Sequence, residues 1–160
     1  MLNKKEFIKS TLDWYDEGNR ILPWRSNPLP YYVWISEIML QQTQVATVIN
    51  YYHRFMKKFP TIKALADTDE EEVMQLWSGL GYYRRARFLH EGAQMIVGEM
   101  EGNFPSEFDM MIKIPGIGRS TAGAIAAFSF NQKKAILDGN VKRVLSRYFL
   151  ISEWTGLPQT

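Results

Sequence analysis

The chain of 160 residues contains no cysteine. That absence excludes disulfides, a thiol nucleophile, and any zinc or iron–sulfur site held by thiolates of this chain. No apolar run approaches the roughly 20 residues that a membrane span requires. The opening Met1-Leu2-Asn3-Lys4-Lys5-Glu6 lacks the apolar core of a signal peptide. Strand signals are sparse, because no strict apolar/polar alternation extends past about five residues. There is no internal repeat and no low-complexity tract. What remains is a soluble intracellular protein without a membrane partner. Its hydrophobic fraction of 46% is enough for a core and argues against disorder.

The net charge is only +2, yet it is unevenly spread. Residues 1–66 hold nine basic and five acidic groups, residues 67–109 three and ten, and residues 110–160 seven and two. Two basic ends around an acidic middle suit a polyanion gripped by selected faces. An ordinary solvated surface would give the same count.

Helical periodicity dominates. Asn3 and Glu6 resemble a capping box ahead of Phe7, Ile8, Leu12 and Tyr15. A turn region with Gly18, Pro23, Pro28 and Pro30 follows. Tyr31 to Met39 read as an almost wholly apolar helix. Val45, Val48, Ile49, Tyr52, Phe55, Met56 and Phe59 mark a helix stopped by Pro60. Thr68 is placed to cap a short helix through Trp77, whose acidic first turn needs no metal or partner to explain it. Leu89 to Met100, a helix opened by Ser106, Arg119 to Phe128, and Asn140 to Phe149 complete an all-α reading.

The stretch Ile114-Pro115-Gly116-Ile117-Gly118-Arg119-Ser120-Thr121 is the most informative. Pro115 stops one helix, and the glycines permit a tight turn with positive φ. A small-residue helix starts at once, and its first N–H groups are free to hold a phosphate oxygen. The motif reads as a helix-hairpin-helix. A simple glycine-capped αα-turn is the alternative. Backbone contacts of this kind fix position on a nucleic acid and carry no sequence information.

Two carboxylates stand out. Glu37 lies among Val33, Trp34, Ile35, Ile38, Met39 and Leu40, where burying it ionised is costly. Burial favours the protonated form that a general acid needs. The same pattern also allows Glu37 to sit on an exposed stripe. Asp138 precedes Gly139-Asn140-Val141 and is placed to cap a helix. The dipole of that helix favours the ionised carboxylate. One protonated and one ionised carboxylate is the pair that glycosidic cleavage uses.

Five segments in order carry a resemblance: Leu22-Pro23-Trp24-Arg25, Ser36 to Val45, Leu76 to Arg87, the hairpin, and Ile136 to Val144. Together they resemble adenine DNA glycosylases of the MutY type, in the helix-hairpin-helix/Gly-Pro-Asp superfamily that includes endonuclease III. The resemblance implies a six-helix barrel over residues 21–133. It implies a second helical lobe of which residues 1–20 and 134–160 form part. Glu37 corresponds to the family's general acid, which protonates adenine N7. Asp138 corresponds to the aspartate that stabilises the oxocarbenium, and Asn140 to an asparagine beside it. Trp24 and Arg25 correspond to residues of the adenine pocket. Gln42, Thr43, Leu80 and Tyr82 correspond to residues that probe the duplex. Gln42 and Tyr82 resemble wedges that enter the base stack after flipping, although Tyr82 also reads as a core aromatic. Gly116, Gly118 and Ser120 belong to the DNA-binding hairpin. Arg84, Arg85 and Arg87 are within reach of phosphates or lie on a solvated helix face.

The resemblance implies double-stranded DNA with A:8-oxoguanine or A:G mispairs as partner. It also implies a [4Fe-4S] cluster, for which this chain has no cysteine ligands. Ser120 stands where the lyases of the superfamily carry a Schiff-base lysine, which favours a monofunctional, water-using glycosylase. The rivals are a bifunctional endonuclease III-like glycosylase/lyase and a non-catalytic helix-hairpin-helix DNA-binding module. Family members continue with further helices, four cluster cysteines and a domain recognising 8-oxoguanine. The chain therefore reads as truncated after the aspartate motif. The intact family is expected to be monomeric, and this piece is expected to self-associate through its N-terminal helix.

Overall fold

The computed structural model describes residues 3–18 and 20–152. They form ten helices and no strand: α1 Lys4–Gly18, α2 Pro23–Ser26, α3 Pro30–Leu40, α4 Val45–Lys58, α5 Ile62–Ala66, α6 Glu70–Trp77, α7 Arg84–Glu99, α8 Phe108–Met111, α9 Arg119–Phe130 and α10 Gly139–Phe149. Residues Leu22–Ala135 make one compact unit. The described residues up to Ile21 and from Ile136 make another.

The larger unit is built around α3. Pro30 starts this helix with its preset φ. Behind it the sequence is almost wholly apolar, so nearly every side must be covered. Tyr31, Val33, Trp34, Ile35, Ile38 and Met39 are all buried, and α3 packs against α2, α4, α7 and α9. Small side chains let α9 come close, with Ala122, Gly123, Ala124 and Ala126 buried. On α7 the approach is made at Gly92, where a Cβ would meet the Trp34 ring and Ile114 at 2.9 Å each.

α4 turns Val48, Tyr52 and Phe55 inward. Its C-cap Phe59 is buried, and the Phe59 carbonyl accepts from the Tyr31 hydroxyl at 2.8 Å. Phe55 lies edge-on to Phe59 and Trp77, with ring centres 5.0 and 6.1 Å apart. Each fully buried side chain of this kind contributes roughly 1.5–3 kcal/mol. This core is the rigid floor on which the loops of the unit stand.

The smaller unit pairs α1 with α10 through Phe7, whose ring lies 4.3 Å from Tyr148 and 5.8 Å from Phe149. No described residue of either helix is buried. Asn3 caps α1 by accepting from the Lys5 N–H at 3.0 Å. Ile8, Leu12 and Trp14 are exposed.

Several boundaries differ from the sequence reading. The N-cap of α6 is Asp69, not Thr68. The Thr68 hydroxyl instead donates to Glu72, which also pairs with Lys58. These contacts hold the Glu72 carboxyl below its usual range. The helix expected to open at Ser106 begins at Phe108 behind Glu107. Within the expected turn region, Pro23–Ser26 form a short helix, because a proline at the first helical position is preset for it.

Candidate nucleic-acid interface

Three loops of the larger unit converge on one groove. The first is the turn after α3, carrying Gln41, Gln42 and Thr43. The second joins α6 to α7 and carries Leu80, Gly81, Tyr82 and Tyr83. The third is the hairpin turn at Gly116. A groove of about 460 Å³ lies between them, lined by Ile38, Gln41, Gln42, Tyr82, Tyr83, Arg84, Arg85, Phe88 and Gly116.

Backbone conformation marks this place. Gln42 has φ of 57° and Tyr82 φ of 50°. Side chains rarely adopt this left-handed region, and each such residue costs on the order of 1–2 kcal/mol. Gly116 has φ of 78°, and a Cβ there would sit 3.0 Å from the Phe88 Cβ. Glycine serves both the turn and the close approach of the hairpin to α7. Gly118 is the N-cap of α9, and Ser120 stands half-buried in its first turn. The leading N–H groups of α9 have no acceptor within their own helix.

Arg85 ties two of the loops together. It is buried, and burial pulls its guanidinium below the usual arginine range. Nη1 donates to the carbonyls of Ile38 and Met39 at 2.9 Å and to that of Gln41. Nη2 donates to the Thr43 hydroxyl at 3.2 Å and to the carbonyls of Leu80 and Gly81 at 3.3 and 3.1 Å. The Tyr82 ring centre is 5.5 Å from the guanidinium carbon.

The residues expected at the site are distributed as follows. Gln42, Tyr82 and Gly116 line the groove. Tyr82 is 61% exposed and so is no core aromatic. Thr43 and Leu80 stand behind the groove: Leu80 has its side chain in the core and its carbonyl on Arg85. Trp24 is buried with its ring edge-on to Tyr52 at 5.2 Å, and Arg25 is half-buried. Glu37 is half-buried in the last turn of α3, between fully covered Ser36 and Ile38.

Asp138 and Asn140 belong to the smaller unit. Asp138 caps α10, its Oδ1 accepting from the Val141 N–H at 2.8 Å. Asn140 is exposed and accepts from Arg143 at 2.7 Å.

Of the three arginines expected to reach phosphates or solvent, Arg85 does neither. Arg87 pairs with Glu70 at 3.0 Å. Arg84 remains exposed, over the Phe88 ring at 4.8 Å. The sequence did hold a signal for Arg85: it shares the helical stripe of Leu89, Ala93 and Ile96, all buried.

Comparison with known proteins places this geometry. Residues 35–159 match the family model described as the HhH-GPD superfamily base excision DNA repair protein. An adenine DNA glycosylase of Buchnera aphidicola subsp. Baizongia pistaciae is 52% identical over 147 residues, covering 91% of this chain and 42% of the relative. The adenine DNA glycosylase of Homo sapiens is 51% identical over 150 residues, covering 88% of this chain and 28% of the relative. The chain thus spans well under half the length of these relatives. A solved structure of a thermostable thymine-DNA glycosylase superposes with a TM-score of 0.85 at 29% identity, covering 91% of this chain and 67% of that one.

The cluster implied by the resemblance does not fit these residues. A [4Fe-4S] cluster is held by cysteine thiolates, and the chain has none. Among the described residues no group of three or more acidic or histidine side chains gathers to hold a metal. No described helix is long and apolar enough to cross a membrane.

Proposed function

The chain belongs to the HhH-GPD superfamily of base excision DNA repair proteins, and from that footing we propose that it acts as a DNA glycosylase on adenine mispaired with 8-oxoguanine or guanine. The reaction is hydrolysis of the N-glycosidic bond. Glu37 delivers a proton to adenine N7, which turns the base into a neutral leaving group. Positive charge then develops on the sugar, and the ionised Asp138 stabilises it until water adds at C1′. Asn140 assists beside Asp138. Trp24 and Arg25 line the pocket for the flipped adenine.

Gln42 and Tyr82 fill the gap left in the stack, with Thr43 and Leu80 supporting their loops. The N–H groups around Gly116, Gly118 and Ser120 hold a backbone phosphate. We place the DNA grip in residues 22–135 and the oxocarbenium partner in the flanking segments.

The observation that carries this reading is the shared groove. Gln42, Tyr82 and Gly116, far apart in sequence, line one cavity. Glu37 sits in the last turn of the helix that delivers Gln42. A wedge pair, a phosphate-binding turn and an acid are what an enzyme needs to extrude and cleave a nucleotide.

A single-turnover assay on an adenine:8-oxoguanine duplex tests it, with heat and alkali to reveal abasic sites. Alkali-dependent cleavage at the adenine is expected. Strand scission without alkali would favour a lyase. Binding with no abasic product would favour a non-catalytic module.

A further inference from the structure

We propose that Arg85 is the positioning residue that sets the Gln42 and Tyr82 wedges as a pair, a role that rests on the base-flipping reading above. The guanidinium takes the Gln41 carbonyl on one nitrogen and the Gly81 carbonyl on the other. Those are the residues immediately before the two left-handed positions, Gln42 and Tyr82. The orientation of a peptide plane about the following N–Cα bond is the φ of the next residue. Holding the Gln41 carbonyl therefore holds φ of Gln42, and holding the Gly81 carbonyl holds φ of Tyr82. One planar fork thus keeps two unfavourable backbone conformations in place and fixes the distance between the loops that bear them.

The hydrogen-bond partners of Arg85 are five carbonyls and one hydroxyl, all neutral, and the Trp77 and Tyr82 rings stand 5.4 and 5.5 Å from the guanidinium carbon, so the charge is met by dipoles and ring faces. Burying a charge without an ionic partner is expensive, and a rigid multi-donor fork offsets that cost by satisfying several carbonyls at once. Lysine offers a point charge on a flexible stem and does not span both loops. Strained residues held by their surroundings cluster where preorganisation matters. Both of these project into the groove that the hairpin completes.

The test uses the whole chain and a duplex with 2-aminopurine opposite 8-oxoguanine, whose fluorescence rises when the base leaves the stack. A parallel single-turnover assay uses adenine. For Arg85→Lys we expect both flipping and excision of the paired base to fall by about tenfold, equivalent to ~1.4 kcal/mol of lost restraint. On a duplex where the target faces an abasic-site analogue, little unstacking is required, and most of the rate should return. A general loss of fold would lower both duplexes alike, so equal losses overturn the proposal.

A second variant covers the case in which Arg85→Lys does not fold. Replacing Tyr82 by its α-hydroxy acid turns the Gly81–Tyr82 amide into an ester, whose carbonyl is a poorer acceptor for Arg85 and for the Trp77 indole that shares it, while Arg85 and the Tyr82 ring remain. Flipping should again drop on the paired duplex and recover opposite the abasic analogue. Trp77→Phe, which removes only the second donor, should leave the flipping ratio between the two duplexes unchanged. Unchanged flipping in folded Arg85→Lys or in the folded ester variant overturns the role of Arg85. Absence of flipping and excision by the unmodified chain would instead overturn the glycosylase reading itself.

Discussion

The Tyr51 hydroxyl donates to the Ser78 carbonyl at 2.9 Å, and a Cβ added at Gly79 would lie only 2.3 Å from its oxygen. The α6–α7 loop is therefore braced from α4 on one side and by Arg85 on the other. Trp77 adds a third hold, its indole N–H donating to the Gly81 carbonyl at 3.1 Å.

Gly79 has φ of 91° besides. Gly79→Ala thus meets both a clash and a strained backbone, and should cost roughly 1–3 kcal/mol. Tyr51→Phe should cost about 1 kcal/mol for the lost hydrogen bond. In the double variant the clash is relieved and the strain stays, so the two costs should sum to more than the double variant loses. Thermal melting of the four proteins reads this coupling. Simple additivity would mean that Tyr51 and Gly79 do not meet.

Glu37→Gln keeps the size and shape of the side chain at its half-buried place on α3 but removes the proton donor. Excision in single turnover should fall by about 10²–10⁴, the usual worth of a positioned general acid. Binding to the mispaired duplex should persist, because the groove residues are untouched. Retention of near-normal excision by a folded variant would remove Glu37 from the chemistry.

How much of this was legible beforehand depended on the kind of force involved. The buried helix 31–39 was legible because its residues are almost wholly apolar, and the end of α4 because Pro60 cannot continue it. The hairpin was legible because Pro115 cannot continue a helix and Gly116 tolerates the positive φ that the turn needs. Arg85 was legible only in part: its place on the stripe of Leu89, Ala93 and Ile96 turns it inward, but a charged side chain reads as surface until a set of carbonyls is known to surround it. Those carbonyls come from residues 38–41 and 80–81, distant in sequence, and backbone acceptors leave no mark in side-chain identity. The left-handed Gln42 and Tyr82 were hidden for the same reason: their conformation is imposed from outside, not preferred by the residues.

Asp138 offers a clean separation of two roles. As N-cap of α10 it needs only an acceptor oxygen, and asparagine caps about as well as aspartate. As the partner of a developing cation it needs its charge. Asp138→Asn should therefore melt within about 0.5 kcal/mol of the unmodified chain, yet lose excision by roughly 10²–10³. Asp138→Ala should lose the activity and also about 1 kcal/mol of stability. If Asp138→Asn excises adenine normally, capping is its whole function.

Ser120→Lys tests the placement of the α9 N-terminus beside the sugar. Serine has no amine, so the unmodified chain should leave an abasic product without forming a covalent bond to it. A lysine in the first turn of α9 stands at the positive end of the helix dipole, which disfavours its charged form by about 0.3–1 kcal/mol. Partial desolvation at this half-buried position acts in the same direction. The neutral amine would then attack C1′ of the ring-opened abasic sugar, lose water, and form a Schiff base. Borohydride reduces that imine to a stable amine, so a protein–DNA adduct should appear on a denaturing gel for Ser120→Lys and be absent for the unmodified chain. A folded, DNA-binding Ser120→Lys that gives no adduct on abasic duplex would place this turn away from the sugar, leaving the hairpin a phosphate contact alone.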